Sequence, residues 1–303
     1  WGYERTFTVD EVLGTLPKVK ELGFKWVDVD DGFQIAEGDW ETNNRFNGTR
    51  DMRRITDAIH AEGAAASIQI GHCGNMSHRS ICGCTPLSAS TGFNLYSPTF
   101  VHGMRHDEIV DVAKAFGQAV NLAREAGFDA VEVHAGHGYL ISQFLSPYTN
   151  HRKDEYGGSL ENRMRFMKMC LDEAMTAAGN DMAVLVKTNM SDGFRGGLET
   201  DDCIEVARNI EQCGVHALVL SGGFVSKAPM YVMRGRMPIR SMTYYMKQLW
   251  LKWGVRMAGR WMIHDEPFRE AYFYEDALKF RKALKLPLVY VGGLVSREKI
   301  DMV

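Results

Sequence analysis

The apolar positions of this chain follow two patterns, a helical stripe and a short continuous run. Segments with the two patterns alternate along the chain. Helical stripes, with apolar residues three and four positions apart, are predicted at residues 8–23, 52–63, 107–126, 160–178 and 199–212. Short apolar runs typical of buried strands are predicted at residues 24–29, 64–70, 128–133, 182–188, 215–220 and 286–291. Helices and strands therefore follow one another, which indicates an α/β fold with a parallel sheet and right-handed crossovers.

The predicted strands end in polar or glycine residues, as in a TIM (β/α)8-type barrel with its site at the carboxyl ends of the strands. A chain of 303 residues is long enough for one such barrel, so we predict a single domain over residues 1–303. Residues 73–103 predict a long loop over the barrel mouth, and residues 225–275 predict a helical insert. The expected barrel is incomplete, with strand one a stub at Trp1 and strand eight absent.

The candidate chemistry is concentrated after the predicted strand at residues 128–133. Two histidines, His134 and His137, follow this strand, and Tyr139 comes two residues later. One histidine alone is more often a satisfied core residue, but this pair before a long loop indicates an active site. Both imidazoles could donate hydrogen bonds to one carbonyl oxygen, and Tyr139 is a weak acid that could supply a proton.

The same stretch carries a resemblance to a known family. Residues 131–163, VEVHAGHGYLISQFLSPYTNHRKDEYGGSLENR, resemble the strand-four signature of the Old Yellow Enzyme family, the FMN-dependent NAD(P)H:flavin oxidoreductases that reduce activated alkenes. The resemblance extends over about residues 52–303. It implies FMN as cofactor, NADH or NADPH as hydride donor, contact of Gln69 with the flavin pyrimidine edge, and Lys187 in the place of the usual arginine. It also implies that the two histidines polarise an alkene conjugated to the carbonyl and that Tyr139 protonates the α-carbon of that alkene.

Further binding residues are predicted beyond the histidines. Gly292 and Gly293 follow the last predicted strand and could cradle a phosphate through backbone N–H groups. Gly222 and Gly223, after the strand before it, are further candidate cofactor-binding residues. In the predicted insert, Arg234 could bind a phosphate or an acidic substrate, although a solvated basic face explains it equally well.

The first 50 residues resemble a different family. The stretch ELGFKWVDVDDGFQIAEGDWETNNRF is similar to the second βα unit of α-galactosidase-type glycoside hydrolases, in which paired aspartates, here Asp30 and Asp31, bind sugar hydroxyls. The chain would then be a chimera that joins residues 1–50 to residues 51–303. A glycosidase is the less favoured alternative, because the triplet Lys187-Thr-Asn189 has no carboxylate where the nucleophile is needed. An inactive chimeric or truncated scaffold is the other alternative.

Composition narrows the choice of function classes. Hydrophobic residues make up 45% of the chain, charged residues 24%, and the net charge is −3, as in ordinary globular proteins. The absence of a long basic run argues against nucleic-acid binding, and no apolar stretch reaches the roughly 18 residues of a membrane span. The six cysteines follow no recognised ligand spacing, so no metal is expected. We therefore expect a cytoplasmic protein that acts on a small molecule, either as a homo-oligomer or with a partner chain that completes the barrel.

Overall fold

The computed structural model describes residues 8–23, 26–29, 48–244, 249–262 and 265–303. A short 3-10 helix lies at Gly74–Met76. The strands are β1 (Trp26–Val29), β2 (Ala65–Ile70), β3 (Leu87–Ser88), β4 (Gly92–Asn94), β5 (Thr99–Gly103), β6 (Ala130–His134), β7 (Ala183–Asn189), β8 (Ala217–Ser221) and β9 (Leu288–Tyr290). The helices are α1 (Val9–Glu21), α2 (Gly48–Ala61), α3 (Arg79–Cys82), α4 (His106–Glu125), α5 (Leu140–Leu145), α6 (Leu160–Ala178), α7 (Thr200–Gln212), α8 (Pro229–Met233), α9 (Ile239–Met242), α10 (Leu249–Met262), α11 (Tyr274–Ala283) and α12 (Arg297–Met302).

The main sheet has six strands in the order β1-β2-β6-β7-β8-β9, and all of its neighbours run parallel. These are the six strands predicted from the apolar runs, so the α/β fold with a parallel sheet is confirmed. Within the described residues β1 and β9 are the outer strands and are not paired with each other. The TIM-type barrel and its incompleteness therefore stay predictions, and Trp1 lies outside the described residues.

The two faces of this sheet differ in polarity. One face is packed under helices and is apolar except for Thr188, with Ile68, Val133 and Val186 each at most 4% exposed. The residues between them point to the opposite face, because side chains alternate along a strand. That opposite face carries polar side chains, and strands that alternate in this way differ from the continuous apolar runs of sheets buried on both faces. Alternation thus directs the polar residues of neighbouring strands to one side.

Two parts of the predicted loops are regular structure. Residues 73–103 were predicted as a loop, but β3, β4 and β5 form a small sheet there, with β5 between a parallel β3 and an antiparallel β4. Likewise, α5 lies within the stretch predicted as loop after His137. Strands of two to five residues rich in Gly, Ser and Asn give too little apolar periodicity to be predicted from sequence.

Hydroxyl side chains cap three of the described helices. Thr8 caps α1 with a capping box, since its backbone N–H donates to Glu11 Oε2 at 2.7 Å and its hydroxyl accepts from the Glu11 N–H. Ser159 caps α6 and Ser296 caps α12. Glu199 is the N-cap of α7 and makes no side-chain cap bond. No helix among the described residues is long and apolar enough to span a membrane.

Candidate active site

The polar face of the sheet gathers its functional groups at the carboxyl ends of β2, β6, β7 and β8. Register places Gln69 beside Glu132, His134 beside Lys187, and Asn189 beside Ser221. In a parallel sheet such neighbours share one face and one edge, so residues far apart in sequence meet here.

His134, His137 and Tyr139 form one cluster, as the sequence suggested they could. The His134 and His137 rings have centroids 4.9 Å apart, and the His134 and Tyr139 rings 4.8 Å apart, both edge to face. His137 adopts φ 58°, a left-handed conformation that is uncommon for a residue with a side chain. The next residue, Gly138, has φ 84°, and a Cβ there would lie 2.6 Å from the Phe224 ring. The turn after β6 is therefore held in a strained, tightly packed form.

Asn189 holds this turn in place. Its Oδ1 accepts a hydrogen bond from the His137 backbone N–H at 3.0 Å. Its Nδ2 donates to Asp192 Oδ1 at 2.9 Å and to the Gly223 carbonyl at 2.8 Å. The side chain is buried, and the turns after β6, β7 and β8 are all tied to this one amide.

Burial keeps both histidines neutral. Desolvation, followed by the charges of His137 and Lys187, lowers the pKa of His134 well below its usual value. Desolvation and then Lys187 lower the pKa of His137 to about 4. Both imidazoles are therefore uncharged at neutral pH, and each has a single N–H to donate.

The hydrogen bonds fix where those two protons lie. The Gly136 N–H donates to His134 Nδ1 at 3.2 Å, so the His134 proton lies on Nε2. That N–H faces His137 Nδ1 at 3.2 Å, which leaves the His137 proton on Nε2, where it donates to Ser221 Oγ at 2.7 Å. The proposed joint donation of both rings to one carbonyl oxygen therefore requires these N–H groups to leave their present partners.

A second cluster lies beside the histidines. Glu132 Oε1 accepts from Lys187 Nζ and from Gln69 Nε2, each at 2.5 Å. The Glu132 residue is 7% exposed. An amide, an ammonium and a carboxylate together offer both donors and acceptors, which suits the hydrogen-bonding edge of a flavin pyrimidine. The donor set therefore fits the FMN-binding role predicted for Gln69 and Lys187.

The predicted glycines and Arg234 meet in a different place, around an aromatic cluster of Tyr231, Tyr272 and Phe273. A Cβ on Gly222 would lie 3.0 Å from the Phe273 ring, and a Cβ on Gly293 would lie 2.7 Å from the Tyr272 ring. Neighbouring Gly292 and Gly223 are also closely packed by side chains. These glycines let the side chains approach the backbone, and their role in cofactor binding stays a prediction.

Arg234 packs onto all three rings of the aromatic cluster. Its guanidinium carbon lies 4.4 Å from the Tyr272 ring centroid, 5.0 Å from that of Tyr231 and 5.4 Å from that of Phe273. It also forms an ion pair with Glu266 at 3.4 Å, and its buried Nε has no hydrogen-bond partner within the described structure. Arg234 therefore lies with the glycines after β8 and β9.

Three residues of the site were missed or misjudged from sequence. Glu132 and Ser221 were not considered, and Asn189 was considered only as a failed nucleophile. The available signal for Glu132 was its charge inside the apolar run at residues 130–133, two positions before His134. Ser221 and Asn189 could not be recognised without the register of β7 and β8.

An α/β sheet with paired histidines and a tyrosine at its carboxyl edge places the chain among the proteins that build their sites on parallel strand ends. Residues 47–258 match the profile of the NADH:flavin oxidoreductase / NADH oxidase family, so the chain belongs to that family. Membership implies FMN as the cofactor and NADH or NADPH as the hydride donor.

Individual relatives agree with this membership. The chain is 37% identical over 251 residues to a 4,4'-dithiodibutanoate disulfide reductase of Rhodococcus erythropolis, covering 82% of this chain and 62% of that protein. It is 36% identical to an NADPH dehydrogenase of Bacillus subtilis strain 168, covering 60% of this chain and 52% of that protein. The chain thus spans between about half and two thirds of the length of these two relatives.

Solved structures support the fold. An old yellow enzyme homologue from Zymomonas mobilis superimposes with a TM-score of 0.67 at 21% identity, covering 96% of this chain and 76% of that chain. At this level of identity the likeness concerns the fold alone.

Proposed function

We propose that this protein is an FMN-dependent NAD(P)H oxidoreductase that reduces a carbonyl-conjugated alkene. The observation that carries the proposal is the contact of the His134 ring with both His137 and Tyr139 at the carboxyl edge of the sheet. Two neutral N–H donors and one phenol are the groups that polarising a carbonyl and protonating the neighbouring carbon require.

The chain's own residues divide the work. Bound FMN supplies hydride transfer from NADH or NADPH to the substrate. Gln69 and Lys187 would hold the pyrimidine edge of the cofactor. The N–H groups of buried His134 and His137 would turn from His137 Nδ1 and Ser221 Oγ to the carbonyl oxygen of the substrate. Because these imidazoles stay neutral, they act as hydrogen-bond donors and do not compete with Tyr139 as acids. Tyr139 then delivers its hydroxyl proton to the α-carbon.

A disulfide is a second candidate substrate. The relative from Rhodococcus erythropolis is named for reducing 4,4'-dithiodibutanoate, and its similarity covers 82% of this chain. That compound carries two carboxylates, for which Arg234 is a candidate partner. An alkene needs a proton at carbon, whereas a thiolate leaves without one, so the two substrates differ in their need for Tyr139.

The other hypotheses stay as proposals of lower rank. Asp30 and Asp31, on which a sugar site would depend, lie outside the described residues. The amide of Asn189 is committed to three hydrogen bonds, which gives the glycosidase alternative no support. A chimera, an inactive scaffold, a cytoplasmic location and completion of the barrel by a second copy or partner chain remain open to test.

The deciding experiment is a titration with FMN, followed by reduction with NADH and with NADPH. Saturable binding and bleaching of the visible flavin band by either nucleotide are expected. A protein that binds no FMN would contradict the proposed function and favour the inactive scaffold. Hydrolysis of an aryl galactoside would instead revive the glycosidase.

A further inference from the structure

We infer that Glu132 is a positioning residue, which holds Lys187 and Gln69 at the cofactor end of the site and compensates the charge of the lysine. This inference rests on the proposed function in one respect, namely that FMN binds beside Gln69 and Lys187. The pairing of the three side chains is independent of that function.

Strand geometry brings the Gln69 amide and the Lys187 ammonium to one oxygen of the Glu132 carboxylate. Gln69 and Glu132 are direct neighbours in the β2–β6 register, and Lys187 lies on β7 beside His134, two residues beyond Glu132. The amide of Gln69 and the ammonium of Lys187 both donate to Glu132 Oε1 at 2.5 Å. A single carboxylate therefore sets the direction in which the two predicted cofactor ligands point.

Burial strengthens the attraction between Glu132 and Lys187 and makes the loss of either partner costly. Glu132 is 7% exposed and the Lys187 side chain 18%, so solvent screens their attraction only weakly. A buried carboxylate requires such partners, because an unpaired charge in the protein interior is costly. Removing Glu132 would leave the ammonium without its charged partner. Removing Lys187 would leave the carboxylate without its charged partner.

The charge of Lys187 reaches the rest of the site. It contributes to the lowered pKa of both His134 and His137. With Glu132 present the pair has no net charge, so a cofactor that becomes anionic on reduction receives little stabilisation from the lysine. Glu132 thus weakens the stabilisation of the anionic reduced cofactor by Lys187. A less stabilised reduced cofactor donates its hydride more readily.

The test compares Glu132→Gln, Lys187→Gln and the double variant with the wild type. Glutamine keeps the size of glutamate and its hydrogen bond to Gln69 while removing the charge. The first readout is the affinity of the FMN-loaded protein for sulfite, which adds to oxidised flavin as an anion. Glu205→Gln, which removes an exposed carboxylate paired with Arg208 on α7, is the matched control.

Glu132→Gln is expected to tighten sulfite binding about tenfold, because the freed ammonium attracts the anion. Lys187→Gln should weaken it, and the double variant should return close to the wild type, because the ion pair and the two neutral amides have the same net charge of zero. Unchanged sulfite affinity in Glu132→Gln, with FMN still bound, would overturn the charge-compensation role.

The second readout needs no cofactor. In the protein without FMN, the rate of acylation of Lys187 by an amine-directed reagent is followed by mass spectrometry. Loss of the Glu132 partner should speed this reaction several-fold, while the Glu205→Gln control leaves it unchanged. Equal rates in wild type and Glu132→Gln would reject the pairing itself. Wild-type protein that binds no FMN, but shows the expected acylation change, would reject the proposed function and retain the pairing.

Discussion

The two ends of the site are organised by different physical interactions. Around His134 and His137 each ring nitrogen has one directed hydrogen-bond partner, and the proton positions follow from them. Around Arg234 the contacts are three ring faces and one ion pair with Glu266, and one buried nitrogen has no partner within the described structure. Hydrogen bonds fix orientation as well as position, whereas stacking fixes mainly position. The histidine end should therefore respond sharply to single-atom changes, and the aromatic end mildly.

The largest expected effect belongs to Tyr139 at the histidine end. Tyr139→Phe removes only the hydroxyl, and the rate of alkene reduction should fall roughly 10²- to 10⁴-fold, the usual contribution of a positioned acid. Reduction of bound FMN by NADPH should keep its rate, because that step needs no proton from Tyr139. Stopped-flow measurement of the two half-reactions tests this. Equal losses in both would reject Tyr139 as the proton donor.

The next effect is a dependence of stability on pH that arises at the histidine end. The pKa of His137 is about 4 in the folded state and near 6.5 when unfolded, so the unfolded chain binds more protons between these values. Stability from this residue is complete above pH 6.5 and is lost as pH falls towards 4, by up to about 3 kcal/mol.

Urea unfolding between pH 5 and pH 7.5 measures that dependence. His137→Gln should reduce the slope of the curve over this window, leaving the contributions of His134 and of His72, whose pKa burial also lowers. Arg234→Gln at the aromatic end should leave the slope unchanged. A wild-type curve as flat as that of His137→Gln would contradict the neutral, buried imidazole.

Asn189 tests whether the turn after β6 depends on one amide. Asn189→Ala leaves the His137 N–H and the Asp192 carboxylate without this partner, and we expect a loss of about 1–3 kcal/mol in the free energy of unfolding. Asn209→Ala on α7 is the control, since Asn209 Oδ1 is buried with no partner in the described structure. Similar losses for the two variants would show that the three bonds of Asn189 do not matter.

The smallest effect is expected at the aromatic end. Arg234→Lys keeps the charge but loses the planar group that stacks on three rings, and should cost about 1 kcal/mol of stability. The measurement is again urea unfolding, with exposed Arg236→Lys as the comparison. A loss as large as that of Asn189→Ala would remove the proposed contrast between the two ends.

Sequence periodicity was sufficient to predict the six strands of the main sheet, because short apolar runs alternate with helical stripes along the chain. The motif around His134, His137 and Tyr139 was likewise readable, since all three lie within six consecutive residues. Ser221 lies 84 positions from His137, and its hydrogen bond to the His137 ring depends on strand register. Local sequence therefore predicts which groups are present, while pairing across strands decides what each group is bonded to.

The amide of Asn189 has a practical consequence for changing what this site accepts. Because one side chain ties together the turns after β6, β7 and β8, these turns cannot be remodelled one at a time. Mutant libraries that randomise residues 135, 136 and 138 alone would mostly sample a misplaced His137. Libraries that vary residues 135, 136, 138, 190, 191 and 222–224 together, with His137, Asn189 and Asp192 kept constant, should retain more working variants.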